Sequence, residues 1–106
     1  MKILFDQGVP FPLKRCLPGH MIHTAADRGW SNLANGALLI AAEQDGFDLF
    51  ITTDQNMKYQ QGIAGRKLAI LVLLTTSWPR IQRQTKVVQL AIDSVAPGAY
   101  VEVVIT

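Results

Sequence analysis

The sequence predicts an α/β protein, a three-layer α/β/α sandwich around a mostly parallel central sheet. Three observations predict it. Apolar, strand-forming segments alternate with helical ones along the whole chain, which is the pattern of an α/β fold. One segment, Leu68 to Leu74 (LAILVLL), is apolar at consecutive positions, as expected of a central parallel strand covered on both faces. Two other strand-like segments end abruptly on an aspartate, Asp6 in MKILFDQGVP and Asp54 in LFITTDQN, although the chain has only 8 acidic residues.

Taken in order, Lys2 to Phe5 reads as a short buried strand, with Gly8 and Pro10 breaking the chain after it. Pro12 to Leu17 reads as a short helix with proline in its first turn, stopped by Pro18-Gly19. His20 to Thr24 alternates as a second strand, and Asp27 to Ser31 is loop-like. Asn35 reads as the N-cap of a helix through Gln44, with Leu38, Leu39 and Ala42 on one face and Gly46 past its end. Asp48 to Thr53 is a β-rich strand, and Gln55 to Gln61 a helical turn or short helix. Pro79 opens a single helix to about Val95, with Ile81, Val87, Val88, Leu90, Ala91 and Val95 at mostly helical spacing. Pro97-Gly98 turns into a last strand, Tyr100 to Ile105, whose lone edge would suit a homodimer.

Length and composition bound the rest. The 106 residues suit one domain with an ordinary core. Hydrophobic residues make up 49% and charged residues 17%, which excludes a disordered chain. A single cysteine, Cys16, excludes an internal disulfide and a Cys-type zinc site, and reads as structural despite its neighbours Lys14 and Arg15. No signal-peptide pattern opens the chain and no apolar run approaches a membrane span, so a cytoplasmic protein without membrane contact is expected. The formal charge of +2 and pI near 8.9 are compatible with a nucleic-acid partner without arguing for one.

In open parallel sheets ligands bind beyond the carboxyl ends of the strands. Parallel strands finish on one side, so Asp6 and Asp54 should share one rim. Two carboxylates there suit a hard cation, Mg²⁺ or Mn²⁺, which takes oxygen ligands and keeps positions for water or phosphate. Asn56 is a candidate neutral oxygen ligand or substrate contact. Each aspartate taken alone reads equally well as a turn or helix cap; the pair says more than either.

Several residues carry a functional and a plainer reading side by side. Trp30 could stack on a base or cover a core edge, and Tyr59 could contact substrate or lie on a solvated face. Trp78 reads as closing the core at the start of the long helix. Arg80 and Arg83 follow the central strand onto the aspartate rim, and Lys14 and Arg15 follow the first strand, so these are the better candidates for phosphate contacts. Arg66 and Lys67 precede the central strand and belong to the opposite rim. His20 and His23 lack a further nitrogen or sulfur ligand, so no histidine metal site is expected.

The segments MKILFDQGVP, PGHMIHTAADRGWSNLANGALL, GFDLFITTDQNMKYQQ and RKLAILVL together resemble the small bacterial PIN-like proteins, the DUF5615 group of the PIN-domain superfamily. The resemblance spans roughly the whole chain and is clearest up to about Leu74. It implies a metal-dependent nuclease acting on RNA, with an antitoxin-like protein as partner where such a domain is the toxin of a pair. It maps the first acid of that family's cluster onto Asp6 and a later one onto Asp54. The sequence departs at the second acid: where relatives carry an acid after Asn-Gly at the helix start, this chain reads Asn35-Gly36-Ala37. Where larger PIN domains often have a further acid, it has Asn56. Glu43 lies two turns along the same helix, about 9 Å on by helical rise, and Asp45 and Asp48 lie near the far end of that unit. The expectation is therefore a ribonuclease with an incomplete acidic site, or a domain that has lost catalysis and binds RNA or protein.

Overall fold

The computed structural model describes residues 1–59 and 65–106. Five strands, β1 (Lys2–Phe5), β2 (Met21–Thr24), β3 (Leu49–Thr52), β4 (Ala69–Leu73) and β5 (Tyr100–Val103), form one sheet in the order β2-β1-β3-β4-β5. Every neighbouring pair is parallel, with Phe5 opposite Thr24 and Ile51, Thr52 opposite Val72, and Val72 opposite Glu102.

Both faces of the sheet are covered, which gives the three layers. Helix α1 (Asn35–Gln44) and a 3-10 turn at Met57–Tyr59 lie on one face, where Leu38, Leu39, Ala42, Phe47 and Met57 pack on Leu4, Phe50, Ile70 and Val72. A 3-10 helix at Phe11–Cys16 lies on the other, with α2 (Trp78–Arg83) and α3 (Thr85–Ser94). There Leu13, Leu17, Ile81, Val88 and Ile92 pack on Ile3, Phe5, Ile51, Leu71 and Leu73. All five residues of β4 are buried, as its unbroken apolar run requires. No helix among the described residues is long and apolar enough to cross a membrane.

The strand order creates a topological switch point. From β1 the chain leaves towards β2 at one edge, whereas from β3 it leaves towards β4 on the other side. The connections diverge between β1 and β3 and open a crevice at the carboxyl ends of these two strands, the usual ligand position in an open α/β sheet.

Several elements differ from the sequence expectation. The expected single helix from Pro79 to Val95 is two helices, broken at Gln84 (φ −122°, ψ 26°), whose N–H turns back to Ile81 O at 2.9 Å. Ile81, Val88 and Ile92 keep one phase across the break, so hydrophobic spacing gives no sign of it; Val87 and Leu90, expected on the packed face, are exposed. The N-cap of α1 is Ala34, and Asn35 is the first residue of the helix, its side-chain NH2 directed to Asp54. Gly46 does end that helix with a φ of +80°, as its position suggested. The expected helix at Pro12 to Leu17 is the 3-10 helix Phe11–Cys16, and β5 stops at Val103 rather than Ile105. Within the expected Gln55 to Gln61 helix, the 3-10 turn covers Met57–Tyr59, and Gln60 and Gln61 lie outside the described residues.

Candidate functional site

Asp6 follows β1 directly and Asp54 lies two residues beyond β3, on neighbouring strands at the switch point. What joins them is Thr52, the last residue of β3 and the one buried polar residue among those described. Its hydroxyl donates to Asp6 Oδ2 at 2.8 Å and accepts from the Asp54 backbone N–H at 3.1 Å. A buried hydroxyl with both partners in place fixes its neighbours, since losing either would leave a desolvated polar group. A β-branched residue ending a strand reads from sequence only as a strand former, so Thr52 escaped sequence reasoning.

Each carboxylate is then oriented from its other side. Asp6 Oδ1 accepts from the Gln7 backbone N–H at 2.9 Å. Asp54 Oδ1 accepts from the Asn56 backbone N–H at 2.9 Å, an Asx turn that opens the Met57–Tyr59 segment. Asp54 Oδ2 accepts from Asn35 Nδ2 at 3.0 Å, a bond strengthened by the charge of the carboxylate. This bond brings the first turn of α1, with its positive dipole end, towards the Asp54 carboxylate. The turn or cap reading of both aspartates is thus satisfied, and among the described residues each of these carboxylate oxygens accepts one hydrogen bond, short of what its lone pairs allow.

The chain after Asp6 approaches the β3 end closely. A Cβ at Gly8 would stand 2.3 Å from Thr53 Oγ1, so a side chain at position 8 would force the Thr53 hydroxyl to move. Gln7 Nε2 donates to Ser31 O at 3.3 Å and ties this loop to the segment before α1.

The remaining candidates fall into two groups. Asn56 is exposed beside Asp54, held through its backbone. Tyr59 is 74% exposed with the Lys58 ammonium 5.3 Å from its ring centre. Lys14 lies 5.5 Å from the Phe11 ring, next to a cleft that includes Asp6. Arg80 and Arg83 are exposed on α2, which packs against the Phe11–Cys16 helix. Ala37 is exposed in the first turn of α1, two residues from Asn35, and that turn holds no acid.

The second group is committed elsewhere. Trp30 turns into the core edge, edge-on to Phe47 at 6.1 Å with the Arg28 guanidinium 5.3 Å from its ring. Trp78, first in α2, packs on the opposite core. Asp45 pairs with Lys2 at 3.4 Å and with Arg28, Asp48 Oδ2 accepts from the Lys2 N–H at 2.8 Å, and Glu43 lies 3.8 Å from Arg66. His20 Nδ1 is 3.1 Å from the N-terminal amine, and His23 packs edge-on to Phe47. Cys16 is half-buried against the core, its carbonyl accepting from Gln89 Nε2 at 2.6 Å.

The fold and site therefore define an α/β protein with two hydrogen-bonded aspartates at the switch point of a parallel sheet. Among the described residues no group of three or more His, Cys, Asp or Glu gathers as a metal cage. Comparison of the chain with family models, curated proteins and solved structures finds no significant match.

Proposed function

We propose that the chain is a PIN-like, metal-dependent endoribonuclease with a reduced acidic site at the crevice between β1 and β3. The observation that carries this reading is the Thr52 bridge, in which the one buried polar side chain among the described residues donates to the Asp6 carboxylate and accepts the Asp54 backbone N–H, tying together the two strand ends that bear the acids. Two carboxylate donors fit Mg²⁺ or Mn²⁺, which bind through one or two carboxylates and complete their shell with water and substrate phosphate. Such an ion, when bound, stabilises charge on the phosphodiester and activates water.

The chain's own residues supply position. Thr52, Asn35 and the Gln7 and Asn56 backbone amides hold the carboxylates. Asn56 adds a neutral oxygen beside Asp54. Lys14, Arg80, Arg83 and Tyr59 lie exposed on the segments that follow β1, β4 and β3, where they would contact the RNA backbone. An RNA substrate in the cytoplasm, and an antitoxin-like protein restraining the enzyme, belong to the same reading.

A second reading is favoured by Ala37. The acid-free first turn of α1 weakens cation binding, because ligand charge tunes affinity. On that reading the domain binds RNA or a partner protein without cleaving, and β5, an edge strand among the described residues, would serve such a partner or a second copy of this chain.

Cleavage of single-stranded RNA in Mn²⁺ separates the two. The nuclease reading expects metal-dependent cleavage that Asp6→Asn and Asp54→Asn each abolish; full activity in either variant would overturn it.

A further inference from the structure

Past the end of β1 lies a cleft of about 370 Å³, bounded by Asp6, Gln7, Val9, Phe11, Thr24, Ala25 and Ala26. That volume is at the small end of the range for sites taking small organic groups. Phe11 is the feature that needs explaining. The other three phenylalanines, Phe5, Phe47 and Phe50, are at most 4% exposed, whereas Phe11 is 59% exposed. It opens the 3-10 helix, and Leu13 rather than Phe11 anchors that helix in the core. Lys14, one turn on, places its ammonium 5.5 Å from the ring centre.

An exposed ring beside an exposed cation, at the edge of a cleft that includes Asp6, has the parts of a single-stranded nucleic-acid subsite: a stacking surface and a phosphate partner. An apolar side chain from a protein would use the ring but leave the adjacent ammonium without a role. Asp27, which follows β2 and feels the charge of Lys14, has its carboxylate held by the Thr24 N–H at 3.1 Å. Lys14 is itself exposed, where a phosphate can reach it.

We infer that this cleft is a base-binding subsite, in which one base of a single-stranded RNA stacks on Phe11 and the neighbouring phosphate pairs with Lys14. The inference rests on the RNA-directed reading above, and it assigns to Phe11 a role that the sequence did not suggest.

The test uses the full chain in excess chelator, so that binding is read apart from cleavage. The probes are a 2′-O-methyl uridine tetranucleotide and the same oligomer with its bases removed. Phe11→Ala is expected to weaken binding of the base-bearing probe about 10- to 100-fold, the range for one stacked base. Phe11→Trp should retain it, and the abasic probe should bind wild type and Phe11→Ala alike. Lys14→Ala should weaken both probes and flatten the salt dependence. Phe11 is exposed, so its variants should melt with wild type, which separates a lost contact from a lost fold.

Equal binding of the base-bearing probe by wild type and Phe11→Ala would overturn the subsite, as would no binding of either probe at millimolar concentration. The second result would leave the ring for a protein side chain. If Phe11 governs binding but no RNA is cleaved in Mn²⁺, the subsite stands and the nuclease reading falls. If cleavage depends on Asp54 while Phe11→Ala changes neither binding nor cleavage, the reverse holds.

Discussion

Thr52 donates its hydroxyl to Asp6 at 2.8 Å from a position with no solvent exposure, and the same oxygen receives the Asp54 N–H. One side chain therefore couples the ends of two neighbouring strands. Thr52→Val keeps the shape and removes the coupling. It leaves the Asp54 N–H without its acceptor and Asp6 Oδ2 without its donor, so a loss of about 2 kcal/mol in unfolding free energy is expected. Thr52→Ser should recover most of it. A urea midpoint unchanged in Thr52→Val would contradict the role given to this hydroxyl.

The outline of this fold was legible because its signals are local. An unbroken apolar run such as Ala69 to Leu73 fits only a strand covered on both sides, and an aspartate ending such a segment has few places to be but the rim. The residues that make the rim a site were not legible for the opposite reason. Asn35 looks like a helix cap, and only the tertiary fold shows that its amide goes to Asp54, 19 positions away. Thr52 looks like any strand residue until β1 is laid beside β3. Nothing in the sequence sets Phe11 apart, and its exposure follows from the 3-10 helix burying Leu13 instead. The break at Gln84 leaves no trace because the apolar phase continues through it.

Ala37 provides a gain-of-function prediction. It is exposed in the first turn of α1, close in sequence to the Asn35 amide that reaches Asp54. A glutamate there would add a third carboxylate near the pair and would also suit the helix N-terminus. Ala37→Glu should tighten Mn²⁺ binding by about tenfold or more, about 1.4 kcal/mol, and raise any metal-dependent cleavage. Affinity no better than wild type would mean that position 37 does not face the site.

Tyr100 gives a prediction in alkali. Burial at the start of β5 comes first, and the Glu102 carboxylate that accepts its O–H at 3.0 Å comes next, in pushing the phenol up from 10.0 to about 12; the charge of Asp54 adds to this. A raised value means the folded state favours the neutral phenol. The resulting stabilisation is complete below the unfolded value of 10.0 and is lost as pH rises through about 12. In a Tyr59→Phe background Tyr100 is the sole phenol, and its absorbance titration should run well above that of free tyrosine. Ionisation near 10 would refute the burial and pairing described.

The central claim is that Asp6 and Asp54 form a divalent-cation site, and a calorimetric Mn²⁺ titration of the wild-type protein beside Asp54→Asn tests it most directly. The account predicts saturable binding near neutral pH that disappears in the variant while the fold persists. No saturable binding by the wild type at millimolar Mn²⁺, or equal binding by both proteins, would contradict it.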